Sequence, residues 1–329
     1  MADRVIIVGA NRRGERIPIG ELKQMIGRAG RGYEGGECHA DIVVEEDDEE
    51  YVVNGFESSA SLNVISVMTK NAILAFHILP EICSGNITDE ETANAWHARS
   101  FHAHSGGIPD WSKVFGILYN AGAIKQTDGG IIMPTVIGDI ASAYYFHAAD
   151  VKAWKDNFSI VFELGLEDDD VAVAWALGNV EMNRKSGDFG KHWDTLEECR
   201  NRMPAGLEMR KGCLITTTLW WHVFGGMPVG KLKNQAIELK EDFGRIHRAL
   251  VDLDERVGCW GMKDFIDDLL MRSRKAISSE LADLCKMPGI TKGQAVALHE
   301  MGISNRKELK RAKSHTDLSD VLGEGYDFS

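Results

Sequence analysis

Gln24-Met25-Ile26-Gly27-Arg28-Ala29-Gly30-Arg31 sets two arginines three residues apart, each directly after or beside a glycine. A guanidinium carries a fixed charge and a planar fork of donors that matches phosphate oxygens. Brought against a transferring phosphoryl group, it neutralises the charge that develops there. A glycine costs a helix about 1 kcal/mol relative to alanine, so Gly27 and Gly30 in one short turn point to a backbone that approaches something closely. A bare Arg-x-x-Arg would read as a short basic helix in water. The full Q-x-x-G-R-x-G-R string is far more specific.

Working outward, residues 4 to 8 read as a strand, 20 to 29 as a helix carrying the arginines, and Ala40 to Val44 as a second apolar strand. Two strands and one helix cannot cover both faces of a parallel sheet, so this piece is expected to be marginal by itself and to expose apolar surface. A phosphate-cradling loop is missing. Gly9-Ala10-Asn11-Arg12-Arg13-Gly14-Glu15-Arg16 follows the apolar run Val5 to Val8 and has the right glycine spacing. Its last two positions should be Lys and a hydroxyl residue; Glu15 would repel phosphate and Arg16 cannot replace a magnesium-binding hydroxyl. Asp89-Glu90-Glu91 lies just after a helix-start signal at Thr88, and Asp47 to Glu50 reads as a solvated acidic run, so neither forms a magnesium motif.

The 329 residues suggest two to three compact units. Six cysteines are scattered without a C-x-x-C pair, which argues against zinc, iron–sulfur or disulfide frameworks and for reduced thiols in an intracellular, cytoplasmic protein. No apolar stretch is long enough for a bilayer and no signal peptide opens the chain. His97, His102 and His104 cluster near Trp96 and Phe101, but they lack helix-spaced ligand pairs and a Cys or carboxylate partner, so no metal is expected on this chain. A formal charge of −13 argues by itself against nucleic acid. Its distribution softens that, since basic residues modestly outnumber acidic ones between Lys231 and Lys313.

From Ser58 the pattern turns helical, with Leu62, Ile65, Ile73, Leu74, Ile78 and Leu79 near helical spacing. Trp111 to Ala123 reads as an amphipathic helix, and Ile124 to Met133 has hairpin chemistry around Asp128-Gly129-Gly130. Helix plus hairpin suggests a winged helix, in which Thr135 and Tyr145 read as packing and capping residues. Residues 150 to 280 read as a helical bundle, with helices near 151–164, 171–180, 194–202, 214–224 and 231–257. The last carries Lys240, Phe243, Arg245 and Arg248, and basic groups with stacking side chains hold single-stranded nucleic acid. It reads equally as an ordinary amphipathic helix with Leu239, Ile246, Leu250 and Leu253 in the core. Leu281 to Ile303 reads as two helices around Pro288-Gly289. Such a hairpin points backbone N–H groups at a phosphate, with Lys286, Gly289, Thr291 and Lys292 as the candidate contacts. The polar tail after Ser314 is expected to fray.

The Gln24 to Arg31 string resembles motif VI of superfamily 2 helicases. Pro134 to Tyr145 resembles the T-x-x-G-x-x-x-S-x-Y-Y stretch of the winged-helix domain in Ski-type helicases, and Leu281 to Ile303 resembles a helix-hairpin-helix. Their order is that of Ski-type DNA repair helicases of the archaeal kind, also shared by the helicase half of polymerase theta. The resemblance covers nearly the whole chain but not the first RecA-like lobe or most of the second; the chain is expected to begin just downstream of motif V. It implies a mostly α fold with small α/β and winged-helix parts. A remnant of the second RecA-like lobe would occupy 1–55, linker helices and a winged helix 56–150, a helical ratchet bundle 151–280, and a helix-hairpin-helix and tail 281–329. Gln24, Gly27, Arg28 and Arg31 would face ATP and Mg2+ held by a separate chain, with Arg28 and Arg31 catalytic. The ratchet helix would grip single-stranded or forked DNA during 3′-to-5′ unwinding. This sequence lacks the family's ratchet tryptophan, so Phe243, Arg245 or Arg248 would substitute, and Thr291 stands where a second glycine is usual. Two other readings stay open: a non-catalytic nucleic-acid-binding adaptor, and a remnant that inhibits a helicase.

Overall fold

A computed structural model describes residues 4–12, 15–30, 37–58, 66–312, 317–323 and 326. The chain divides into two compact units, Met1–Ser66 and Val67–Ser329. The molecule is mostly helical, with a few short strands.

In the first unit, β1 (Arg4–Val8) lies parallel to β4 (His39–Val43), with Arg4 opposite His39 and Val8 opposite Val43. A small hairpin of β2 (Asn11–Arg12) and β3 (Glu15–Arg16) follows β1, where a phosphate loop would otherwise sit. α1 (Ile19–Ile26) buries Leu22, which packs with Ala10, Ile17 and Val52. The acidic run is solvated at Asp47, Glu49 and Glu50 as expected, and it also opens a second helix, α2 (Glu46–Glu57), whose first turn favours carboxylates near the positive end of the helix dipole. Asp48 is buried in that turn, accepts from Arg16 Nε at 3.0 Å and also takes the Asn11 amide, which ties α2 to the hairpin. Ile6, Val8 and Val43 stay exposed at 60%, 81% and 54%, so the two-stranded sheet keeps an open apolar patch beside the exposed Arg4–Asp41 ion pair among the described residues.

The second unit starts with α3 (Asn71–Cys83), α4 (Glu90–His97) and the short α5 (Phe101–His104). The start of α4 is set by Asp89 rather than Thr88, through a reciprocal capping box with Thr92. Next come α6 (Trp111–Asn120), an antiparallel hairpin of β5 (Ile124–Gln126) and β6 (Ile132–Pro134), and α7 (Val136–Ala143). Thr135 caps α7 by accepting from Gly138 N and donates to Gly122 O at 2.5 Å, so one hydroxyl joins the two helix ends. Leu62 and Ile65 lie outside the described residues.

α8 (Ala148–Glu163), α9 (Asp170–Gly178), α10 (Trp193–Asn201), α11 (Leu214–Val223), α12 (Lys233–Leu253) and α13 (Lys263–Lys275) form the bundle. α9 is buried from Val171 through Gly178, as a helix enclosed on all sides must be. A Cβ at Gly178 would come within 2.6 Å of Thr217 N, so glycine permits the close crossing of α9 and α11. One continuous core runs from Leu74 on α3 to Leu269 on α13.

α14 (Ala282–Lys286), α15 (Lys292–Glu300), α16 (Arg306–Arg311) and α17 (Asp317–Leu322) close the chain around a second core. The tail expected to fray therefore contains a packed helix: Leu318 and Leu322 are buried with Leu298 and Leu309. Asp170 on α9 fastens this part to the bundle by accepting from Ser279 N at 3.1 Å. The same carboxylate pairs with Arg272 of α13, which is 3% exposed and lies 5.2 Å over the Phe224 ring. No helix among the described residues is long and apolar enough to cross a membrane.

Candidate functional site

Gln24, Met25 and Ile26 of the Gln24–Arg31 string form the last turn of α1, and the rest of the string leaves the helix. α1 ends at Ile26, so Gly27 and Arg28 occupy a turn rather than the helix, closed by Gly27 N to Lys23 O at 3.1 Å and Arg28 N to Met25 O at 3.2 Å. Gly30 has φ +75°, and a Cβ there would fall 2.6 Å from Cys38 Sγ, so this position needs glycine. Gly27 differs: its φ is −64° and an added Cβ would meet backbone oxygens no closer than 3.4 Å. Gln24 and Arg28 are both exposed, and among the described residues the Arg28 guanidinium meets no carboxylate. Arg31 lies outside the described residues.

On α12, Ala236, Leu239, Phe243, Ile246, Leu250 and Leu253 are buried at alternating spacings of three and four, the pattern of a helix seated along one seam. Phe243 is thereby corrected as a candidate base-stacking residue. It is 0% exposed and packs edge-on against Trp220 and Phe224, with ring centroids at 5.5 and 5.8 Å, so no base can reach it. Lys240 and Arg248 remain exposed. Arg248 lies 5.9 Å from the Tyr144 ring centre. Arg245 turns inward: both its Nε and Nη2 reach Asp242 at 2.9 Å, its Nη1 donates to Tyr145 O at 3.3 Å, and its guanidinium sits 4.3 Å over Phe146.

In the terminal segment Gly289 adopts φ +79° between α14 and α15, giving the sharp turn expected of Pro288-Gly289. Thr291 caps α15 in a capping box with Gln294, its own N–H donating to Gln294 Oε1 at 2.9 Å. A hydroxyl cap thus fills the place of a second glycine. Both lysines are engaged internally, Lys286 with Asp268 at 2.5 Å and Lys292 with Ala276 O at 2.5 Å. Tyr326 donates to Pro288 O at 3.1 Å.

Sequence reasoning gave no role to Asn183-Arg184-Lys185, a basic pair in the loop after α9. The loop is anchored by Asp150, a wholly buried carboxylate on α8 that accepts from Glu181 N, Met182 N and Asn183 N at 2.9, 2.8 and 3.0 Å. Burial pushes the Asp150 carboxyl above its ordinary pKa, although these three donors pull it down. Elsewhere His97 and His102 share a ring-to-ring hydrogen bond of 2.9 Å inside the protein, while His104 is exposed. Among the described residues no group of three or more His, Cys, Asp or Glu is placed to hold a metal ion.

The chain is distantly related to a DNA helicase. It is similar to the ATP-dependent DNA helicase Hel308 of Pyrococcus abyssi (strain GE5 / Orsay), at 21% identity over 329 residues that cover 91% of this chain and 44% of that protein. The chain thus spans less than half the length of that relative. No protein-family model matches it.

Proposed function

We propose that this chain is the C-terminal, DNA-gripping portion of an ATP-dependent 3′-to-5′ DNA helicase. Gln24, Arg28 and Arg31 complete an ATP and Mg2+ site whose phosphate loop and acidic residues lie on polypeptide outside these residues. The observation that carries this reading is the Q-x-x-G-R-x-G-R string, with Arg28 exposed just after α1 and meeting no carboxylate among the described residues. An exposed guanidinium that no carboxylate holds is available to an external phosphate. The open apolar patch of the sheet at Ile6, Val8 and Val43 supports it, because a parallel sheet is normally covered on both faces. Similarity to a DNA helicase across 91% of the chain points the same way.

In this reading α6, the β5–β6 hairpin and α7 form a winged helix with a packing role. α8 to α13 are the ratchet bundle, and α14 with α15 is a helix-hairpin-helix that approaches a phosphate backbone. Lys240 and Arg248 contact single-stranded or forked DNA within the cell. The test is strand displacement by protein isolated with its associated chains from native cells. A duplex with a 3′ single-stranded tail should be unwound with ATP and one with a 5′ tail should not. Tight DNA binding with no displacement on either tail would favour the adaptor reading. Inhibition of a full-length relative would favour the remnant.

A further inference from the structure

The turn out of α7 holds a side chain that its backbone disfavours. Phe146 N donates to Ala141 O at 2.8 Å and Tyr145 N to Ser142 O at 3.2 Å, closing a helix end whose left-handed position usually belongs to glycine. Here that position is Tyr145, at φ +58°. Burial does not compensate for the strain. The ring is 57% exposed and touches Phe76 edge-on, with centroids 4.6 Å apart. A strained, exposed aromatic that persists is a sign of use.

A cavity of about 570 Å³ opens beside it, lined by Tyr145, His147, Arg184, Lys185, Asp242 and Arg245, among others. Two of its cations are balanced, Arg245 by Asp242 and Lys185 by Glu238 at 3.0 Å. Arg184 is not. Its guanidinium donates to the carbonyls of Val180 at 3.1 Å and Lys211 at 3.0 Å, and among the described residues it meets no carboxylate. It is exposed, and the loop that carries it is pinned by Asp150. An aromatic ring and a guanidinium without a carboxylate on the lining of one cavity suit one nucleotide of a single strand, whose base stacks while its phosphate meets the cation.

We propose that Tyr145 and Arg184 form a stacking site for an unpaired nucleotide of single-stranded DNA, with the base on the Tyr145 ring and the neighbouring phosphate at Arg184. Arg245 is a positioning residue: it holds the Tyr145 carbonyl from below and does not itself bind DNA. The site rests on the reading that this chain grips single-stranded DNA.

The test is fluorescence anisotropy of a labelled oligodeoxythymidylate, and of an abasic strand of equal length, with the full 329-residue chain. Tyr145→Gly removes the ring while relieving the backbone, and thermal melting checks the fold. It should weaken thymidylate binding roughly 5- to 150-fold, as expected for loss of one stacked base. Tyr145→Phe should bind like the parent, and the abasic strand should be insensitive to either change. Arg184→Gln should lower the salt dependence by about one phosphate contact. Equal thymidylate affinity for Tyr145→Gly and the parent, or an equal loss on the abasic strand, overturns the site alone. No binding by the parent protein overturns both the site and the DNA-gripping reading.

Discussion

Phe243 closes the contact between α11 and α12, and its surroundings decide its role more firmly than its chemistry does. Truncating a fully buried ring flanked by Trp220 and Phe224 removes transfer energy and leaves a cavity. Phe243→Ala should therefore cost about 3–5 kcal/mol in urea unfolding. Lys240→Gln and Arg248→Gln lie on the exposed side and should change stability by less than about 0.5 kcal/mol, while each lowers the salt slope of DNA binding by about one. The buried His97 responds to pH. Burial first, and then the neighbouring His102, holds its pKa below the ordinary 6.5, so the folded protein takes up the proton less readily than the unfolded chain. The stability it protects is present above about pH 6.5 and is lost as pH falls through that value toward the lower folded pKa. His97→Gln should flatten the fall in melting temperature between neutral pH and mildly acidic pH; an unchanged slope would count against this assignment. At this scale the sequence supported both outcomes for Phe243. The spacing Leu239, Phe243, Ile246, Leu250 already matched a buried seam, but the same ring beside basic residues also matched a stacking platform. The contact that settles it comes from Trp220 and Phe224, on another helix.

Among the elements, those whose ends are written locally were readable in advance. The β5–β6 hairpin follows from Asp128-Gly129-Gly130, α7 from its Thr135 cap, and the turn before α15 from Pro288-Gly289. α2 was not readable, because its buried Asp48 depends on Arg16 and Asn11, which sit on a hairpin more than thirty residues earlier. α17 was missed for a similar reason. A short polar segment with two leucines looks like a tail until Leu298 and Leu309 are placed beside it. The fastening of α13 to α9 is likewise non-local. Removing the buried Arg272 would leave the half-buried Asp170 without its counter-charge, and Arg272→Ala should destabilise the protein by about 3 kcal/mol. If thermal melting is unchanged in Arg272→Ala, that pair does not fasten α13 to α9. The α15 cap gives a smaller effect: Thr291→Ala should cost about 1 kcal/mol, and Thr291→Gly only a few tenths.

At the scale of the molecule, two units carry different halves of one proposed task. The first presents Gln24 on the last turn of α1, Arg28 on the exposed turn that follows it, and the exposed Ile6, Val8 and Val43; the second presents Lys240 and Arg248 on the exposed side of α12 and the cavity at Tyr145 and Arg184. The acidic total charge of −13 does not oppose this division, because DNA meets a local surface and not the sum. The measurement that bears most directly on the proposal is ATP turnover by natively isolated protein, with and without single-stranded DNA, for the parent, Arg28→Ala and Arg31→Ala. Arginines that complete a phosphoryl-transfer site contribute on the order of 10³- to 10⁵-fold to turnover. DNA-stimulated hydrolysis that collapses in both variants while DNA binding persists is the predicted result. Hydrolysis unchanged in both variants, or no hydrolysis in the parent preparation despite DNA binding, would contradict it.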